Sequence, residues 1–77
     1  MTSAYVLINC ELGAEEVIIE KLKEIEQVQE VFGTIGTYDM MVKLDAENFE
    51  KIREIVSRSI QKIEKIRTIS TLIRKDN

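Results

Sequence analysis

The residues best suited to chemistry lie in one short segment, Gly36-Thr37-Tyr38-Asp39. Gly36 permits a positive φ or a close backbone approach, so a ligand can reach main-chain N–H groups there. Tyr38 offers a flat amphipathic ring, and Asp39 offers an acceptor for an amine or a hydroxyl group. The chain has no other polar constellation of this kind, so this segment is where a binding function is predicted.

The flanking residues predict that this segment is the tip of a hairpin. Apolar and β-branched residues run through Val28–Phe32 and again through Met40–Leu44, with the turn between them. Two interpretations of the turn residues stay open. Asp39 either binds a ligand or bonds its own backbone, and Tyr38 either contacts a ligand or packs at a subunit contact.

Catalytic and metal chemistry find little support in the composition. The chain has no histidine and a single cysteine, Cys10, which excludes a disulfide within the chain and a Cys/His metal cluster. No serine or cysteine lies beside an evident base, and no phosphate-cradling loop is present. We therefore expect no enzyme activity, no cofactor and no metal, and we predict that Cys10 is an inert packed thiol.

Size and charge narrow the class further. The 77 residues predict one domain of marginal stability, for which oligomerisation is the remaining usual support. The net charge is −3, and the basic residues alternate with glutamates, so we expect no direct nucleic-acid contact. The longest apolar run, Ala4–Ile8, is too short to span a membrane. A single cysteine and no export signal favour the cytoplasm, and twelve isoleucines with no proline favour a thermophilic source.

Hydrophobic spacing along the chain predicts the order β-α-β-β-α-β. Strands are expected at 5–10, in both hairpin arms and at 66–74, with helices over 14–26 and after a polar segment in which Asp45 is a candidate N-cap. The second helix carries an apolar stripe of Phe49, Ile52, Val56, Ile60 and Ile63. Residues 75–77 are expected to form a frayed tail.

Right-handed crossovers place both predicted helices on one face of a four-stranded antiparallel sheet, the ferredoxin-like α+β arrangement. The strands nevertheless carry Val, Leu, Ile, Phe and Met on both faces. The uncovered face would be an apolar patch too large for a soluble monomer. We therefore predict a homodimer, a dimeric α+β barrel made by packing two such sheets face to face.

With these elements in place, the chain resembles the effector-binding domain of the Lrp/AsnC family of feast/famine regulators, the module called RAM (regulation of amino-acid metabolism). The likeness covers residues 1–77 as a single domain. Its most specific part is Gly36-Thr37-Tyr38-Asp39-Met40-Met41-Val42, a Gly-x-Tyr-Asp tip followed by an apolar strand. Further likeness comes from the first strand, from Gly13-Ala14-Glu15-Glu16 and from Ile69–Ile73.

The resemblance implies sheet-to-sheet dimers that assemble into rings, and a small effector, often an amino acid, bound between dimers near the hairpin tip. Carried over to this sequence, Gly36, Thr37, Tyr38 and Asp39 would line the site, and Thr71, with Ser70 and Thr68, would supply hydroxyl groups. Full-length regulators of the family begin with a helix-turn-helix, for which this sequence has no room. The resemblance is therefore to the stand-alone type of the module, which acts alone or with a full-length regulator.

Two alternatives stay open. The first is a structural assembly module without an effector, which forms hetero-oligomers with a DNA-binding homologue. The second is a small enzyme of the dimeric ferredoxin-like type, for which the sequence supplies few titratable groups. Acylphosphatases and copper chaperones share the topology, but their arginine-bearing loop and their Cys-x-x-Cys motif are absent here.

Overall fold

The computed structural model describes residues 1–74, which form a single four-stranded sheet covered by helices. The strands are β1 (Thr2–Cys10), β2 (Val28–Gly33), β3 (Met40–Ala46) and β4 (Ile66–Ile73). The helices are α1 (Glu15–Lys23) and α2 (Phe49–Ile55), and α2 continues into a π-helical turn, Val56–Ile60, called here the π segment. The predicted order of elements is confirmed; the tail predicted at 75–77 lies outside the described residues.

The sheet has the strand order β2-β3-β1-β4, and every neighbouring pair is antiparallel. β1 lies in the interior, where Val6 pairs with Val42 on one side and with Thr71 on the other. β2 and β4 form the two edges. The ferredoxin-like fold predicted from the sequence is confirmed, and it brings the β2–β3 loop to the end of the sheet where β1 ends.

The core lies on the face of the sheet that the helices cover. Alternate residues of β1 and β3 point to this face and are fully buried, because the pleat sends successive side chains to opposite sides. They are Ala4, Val6, Ile8, Met40, Val42 and Leu44. Both helices and the π segment supply the other half of the core with Ile18, Leu22, Ile52 and Ile60. Full burial of each larger aliphatic side chain contributes about 1.5–3 kcal/mol.

Two predicted helix boundaries are wrong. Asp45 does not cap the second helix, because β3 extends to Ala46, and Asp45 Oδ1 instead accepts a 2.6 Å hydrogen bond from Ser3 Oγ. The cap is Asn48, whose Oδ1 accepts from the Lys51 N–H at 2.9 Å. The first helix ends at Lys23 rather than at 26, because the N–H of Ile25 bonds to the carbonyl of Leu22 and tightens the last turn.

Candidate functional site

The predicted tip residues lie together in the loop between β2 and β3, residues 34–39, called here the tip loop. Two hydrogen bonds close its base: the Thr34 N–H donates to the Asp39 carbonyl at 3.0 Å, and Thr34 Oγ1 donates to the Tyr38 carbonyl at 2.7 Å. A short loop closed by backbone and side-chain bonds is already held in one conformation. Ligand binding to it therefore costs less conformational entropy than binding to an open loop. The predicted hairpin is therefore present, with Gly36–Asp39 in its connection.

Asp39 also fixes the tip loop to the end of β1. Its N–H donates to the Ile8 carbonyl at 2.9 Å, and its Oδ2 accepts from the Cys10 N–H at 2.9 Å. The carboxylate thus takes the place of a backbone carbonyl and satisfies a donor at the end of the strand. The alternative interpretation of Asp39, as a turn residue that bonds its own backbone, differs from the bond observed among residues 1–74: the side chain bonds the backbone of a neighbouring strand.

The second carboxylate oxygen of Asp39 has no protein donor. Among residues 1–74 the hydrogen bonds of this side chain involve Oδ2 alone, and the residue is half-buried. An ionised carboxylate accepts several hydrogen bonds, and those from a cationic donor are the strongest. Oδ1 is therefore a fixed, partly shielded acceptor suited to an ammonium group.

The outer part of the tip loop is open to solvent. Gly36 has a φ of 130°, which an L side chain rarely adopts, although a Cβ built there would contact nothing within 4 Å. Glycine at this position therefore serves the backbone conformation and not close packing. Ile35 beside it is fully exposed, Thr37 is exposed, and Tyr38 is half-buried.

The structure does not bring the two predicted hydroxyl residues of β4 to the tip loop within one chain. Ser70 pairs with Leu7 and faces the open side of the sheet, whereas Thr71 pairs with Val6 and faces the helices. β1 separates both residues from β3 and its loop. Thr68, which pairs with Asn9, lies nearer that end of the sheet. The roles of Ser70 and Thr71 in binding stay predictions.

The sequence reasoning missed the residues that hold the tip loop in place. These are Thr34, which closes the loop, and the backbone groups of Ile8 and Cys10 that bond to Asp39. A threonine that precedes a turn is a known signal for a side-chain bond to the nearby backbone. The bond from Cys10 crosses 29 positions of the chain and has no local signal.

The Cys10 thiol is not activated as a nucleophile. Burial raises the pKa of Cys10 above its ordinary value, the nearby carboxylates of Glu15 and Asp39 raise it further, and Arg67 opposes them. A raised pKa leaves little thiolate at neutral pH, which agrees with the predicted packed thiol. Within residues 1–74 no group of three or more metal-ligating side chains comes together, and no helix has the length and apolar character to cross a membrane.

The open face of the sheet carries an apolar band. Phe32 pairs with Met41, and Met41 pairs with Leu7, so three neighbouring strands place large apolar side chains side by side. Leu72, more than half exposed, pairs with Tyr5 on the same face. Polar residues such as Lys43 and Ser70 share the face, so the band is bounded and not continuous over the whole sheet.

The antiparallel βαββαβ sheet defines a ferredoxin-like α+β domain. The family profile described as the Lrp/AsnC ligand binding domain matches residues 3–75. The chain therefore belongs to the Lrp/AsnC ligand-binding domain family, the family that its Gly-x-Tyr-Asp segment predicted.

The curated relatives that the chain matches are named as regulators. The HTH-type transcriptional regulator FL11 of Pyrococcus furiosus is 31% identical over 71 residues, which are 90% of this chain and 47% of FL11. The chain spans less than half the length of the curated relatives it matches.

Two solved structures share the fold. The protein TTHA0845 of Thermus thermophilus aligns with a TM-score of 0.94 at 26% identity, over 100% of this chain and 96% of that one. The transcriptional regulator NMB0573 of Neisseria meningitidis, solved as a complex with L-Met, aligns with a TM-score of 0.88 over 97% of this chain and 50% of that one. At 10% identity this second likeness concerns the fold alone.

Proposed function

We propose that this domain binds a small effector, an amino acid, at an interface formed by the tip loop, and that binding regulates the assembly of a transcription regulator. The observation that carries the proposal is the Asp39 carboxylate: Oδ2 accepts from the Cys10 N–H, and Oδ1 has no hydrogen-bond donor among residues 1–74. Such a group is preorganised to accept the ammonium group of an amino acid.

The backbone of the tip loop supplies a second recognition element. Gly36 leaves main-chain groups uncovered by a side chain, and no Cβ contact crowds the position. Uncovered N–H groups suit the carboxylate end of the same ligand, because that end carries the opposite charge. A zwitterionic ligand would thereby use both kinds of group that the loop presents.

In a single chain, the tip loop would contact such a ligand from one side only. Four surface cavities of residues 1–74 are lined by the helices, the turn after the π segment and β4, and residues 34–39 line none of these four. Tight ligand sites bury most of the ligand surface. The missing wall would come from another subunit, which accords with the fully exposed Ile35 at the loop.

Assembly through the open sheet face would form the dimers, and the other subunit at the tip loop would belong to a neighbouring dimer. The band of Phe32, Met41 and Leu7 is a contiguous apolar surface outside the core, and a second copy of the same face would cover it. Two sheets packed in this way form the predicted dimeric α+β barrel, and dimers that meet at their tip loops form a ring. A ligand that prefers one assembly shifts the population by its differential affinity.

The test is calorimetric titration of the twenty amino acids into the wild-type protein and into Asp39→Asn. The asparagine keeps an oxygen that can accept from Cys10 N–H and removes the charge that would hold an ammonium group. Glu47→Gln, which neutralises an exposed acid beyond β3, is the matched control. Binding by the wild type and Glu47→Gln but not by Asp39→Asn supports the proposal. Equal binding by all three would show that the site lies elsewhere, and no binding by any would favour an assembly module without an effector.

A further inference from the structure

A groove of about 510 Å³ runs between α1 and the turn that follows the π segment. Ala14, Val17, Ile18 and Ile63 form its apolar floor. Ala14 and Ile18 are buried in the core, but Val17 is 62% exposed. The groove thus offers apolar surface that the fold itself does not cover.

The rim of the groove is basic. Lys21, Lys62 and Lys65 line it together with Ser59, against a single carboxylate, Glu64. The chain as a whole carries a net charge of −3, so the charge of the groove lining is opposite in sign to that of the chain. The ion pair found within residues 1–74 joins Lys51 and Glu54, and none of the three groove lysines has a carboxylate within 4.0 Å. Their charges are therefore available to an anion.

One of these lysines is held in place by a strained backbone. Lys65 has a φ of 72°, the only positive φ of a non-glycine residue within residues 1–74. The Glu11 N–H donates to the Lys65 carbonyl at 2.9 Å and fixes this turn against the loop that leads into α1. Such conformations persist only where the surroundings enforce them. The backbone of Lys65, from which its side chain extends, is therefore fixed at the end of the groove.

We infer that this groove binds a small organic anion, with a carboxylate or phosphate head group on the lysines and an apolar body on Val17 and Ile63. Its volume lies within the range of about 300–1,000 Å³ that is typical of small-molecule sites. Ammonium groups bind both kinds of head group. The apolar part of the ligand would be removed from water where it packs on the exposed Val17. The groove lies on the helical face, so it is a second site, separate from the tip loop.

The test is a titration of the whole ¹⁵N-labelled domain followed by two-dimensional NMR, with sodium octanoate as the amphipathic carboxylate, octyl phosphate as its phosphate counterpart and inorganic phosphate as the head group alone. Saturable shifts of the amides of Gly13, Val17 and Ile63 are expected with either octyl compound. The octyl compound that binds with the lower dissociation constant identifies the preferred head group. Shifts centred on the open sheet face, or no saturation, would overturn the inference. So would inorganic phosphate that binds as tightly as the octyl compounds, because the apolar floor would then add nothing.

Charge variants localise the site independently. Lys21→Gln combined with Lys62→Gln is expected to weaken octanoate binding by about fivefold or more, because two nearby charges are lost. Lys23→Gln is the matched control, since Lys23 lies on α1 but does not line the groove. An unchanged affinity in the double variant would contradict the inference. The Asp39→Asn variant is expected to bind octanoate normally, so failure at the tip loop and failure at the groove are distinguishable.

Discussion

The Cys10 N–H donates a 2.9 Å hydrogen bond to Asp39 Oδ2 across 29 positions of the chain, and with the bond from the Asp39 N–H to the Ile8 carbonyl it ties the β2–β3 loop to the end of β1. It gives Asp39 two roles. One oxygen maintains the structure, and the other, which has no donor in the described part of the chain, is proposed to meet a ligand. Substitutions at Asp39 must therefore be chosen so that the two roles are separated.

We predict that Asp39→Ala lowers the free energy of unfolding by about 1–3 kcal/mol, because the Cys10 N–H loses its acceptor in a partly buried position. Asp39→Asn is expected to cost less, since its amide oxygen can accept the same bond. Urea unfolding of the two variants beside the wild type measures both values. If the alanine and asparagine variants unfold at the same urea concentration as the wild type, the bond to Cys10 contributes nothing.

Gly36→Ala is expected to destabilise the domain by about 1–3 kcal/mol through backbone strain alone, because φ is 130° and a Cβ would meet no atom within 4 Å. Gly33→Ala is the matched control. Its φ is not positive, and its Cβ would lie 3.9 Å from the Asp39 carbonyl oxygen, an ordinary contact. Thermal unfolding of the pair gives the comparison. Equal midpoints would mean that the tip loop does not require the conformation seen at Gly36.

Asn48→Ala is expected to cost about 1 kcal/mol, because α2 loses the side-chain acceptor for the Lys51 N–H. Asn48→Asp keeps a capping oxygen and adds charge at the positive end of the helix, so we expect its stability to match the wild type. Chemical denaturation monitored by circular dichroism measures both. A loss in the aspartate variant as large as that in the alanine variant would show that the cap is not what matters.

The raised pKa of Cys10, caused first by burial and then by Glu15 and Asp39, makes stability depend on alkaline pH. The unfolded thiol loses its proton near the ordinary value of 9.0, while the folded thiol keeps it, so the folded state binds more protons in that window. The contribution of the Cys10 thiol to the free energy of unfolding is therefore fully present below pH 9.0 and declines as the pH rises through the folded pKa. We predict that Cys10→Ala shows a shallower decline than the wild type. Parallel pH profiles of the two proteins above pH 9.0 would contradict this.

Leu7→Lys is predicted to convert the proposed dimer to a monomer, because it places a charge within the apolar band formed with Met41 and Phe32. Leu12→Lys is the matched control, because Leu12 is also apolar and is 99% exposed in the loop after β1, away from that band. Sedimentation velocity at micromolar concentration distinguishes the species. A dimer that survives Leu7→Lys but not Leu12→Lys would move the interface to the end of the sheet.

Much of the fold could be predicted because it depends on local patterns. The spacing of four between Ile52, Val56 and Ile60 and the near-continuous apolar runs of β1 and β3 identify the elements. The connection rules then leave one arrangement of helices on the sheet. Boundaries were less reliable. Asp45 and Asn48 are both good caps, and the choice between them depended on how far β3 extends, which pairing with Thr2 and Ser3 decides.

The site was only partly predictable, for a related reason. The Gly-x-Tyr-Asp segment and its glycine conformation are local features, and the loop is where the hairpin pattern put it. The bond from Cys10 to Asp39 is non-local, and so is the strand order that places β1 between β4 and the tip loop. Strand alternation does separate Ser70 from Thr71 in the sequence itself. The basic groove could not be predicted from the sequence, because Lys21 and Lys65 are brought together only by tertiary packing.

Native mass spectrometry with and without a mixture of the twenty amino acids tests the central claim most directly, since it reads the assembly and the bound mass together. We predict a multiple of dimers that gains the mass of one amino acid for each site, and loss of that gain in Asp39→Asn with the assembly retained. A multiple of dimers that never gains ligand mass would contradict effector binding. A monomer at micromolar concentration would contradict both the paired sheets and the shared site at the tip loop.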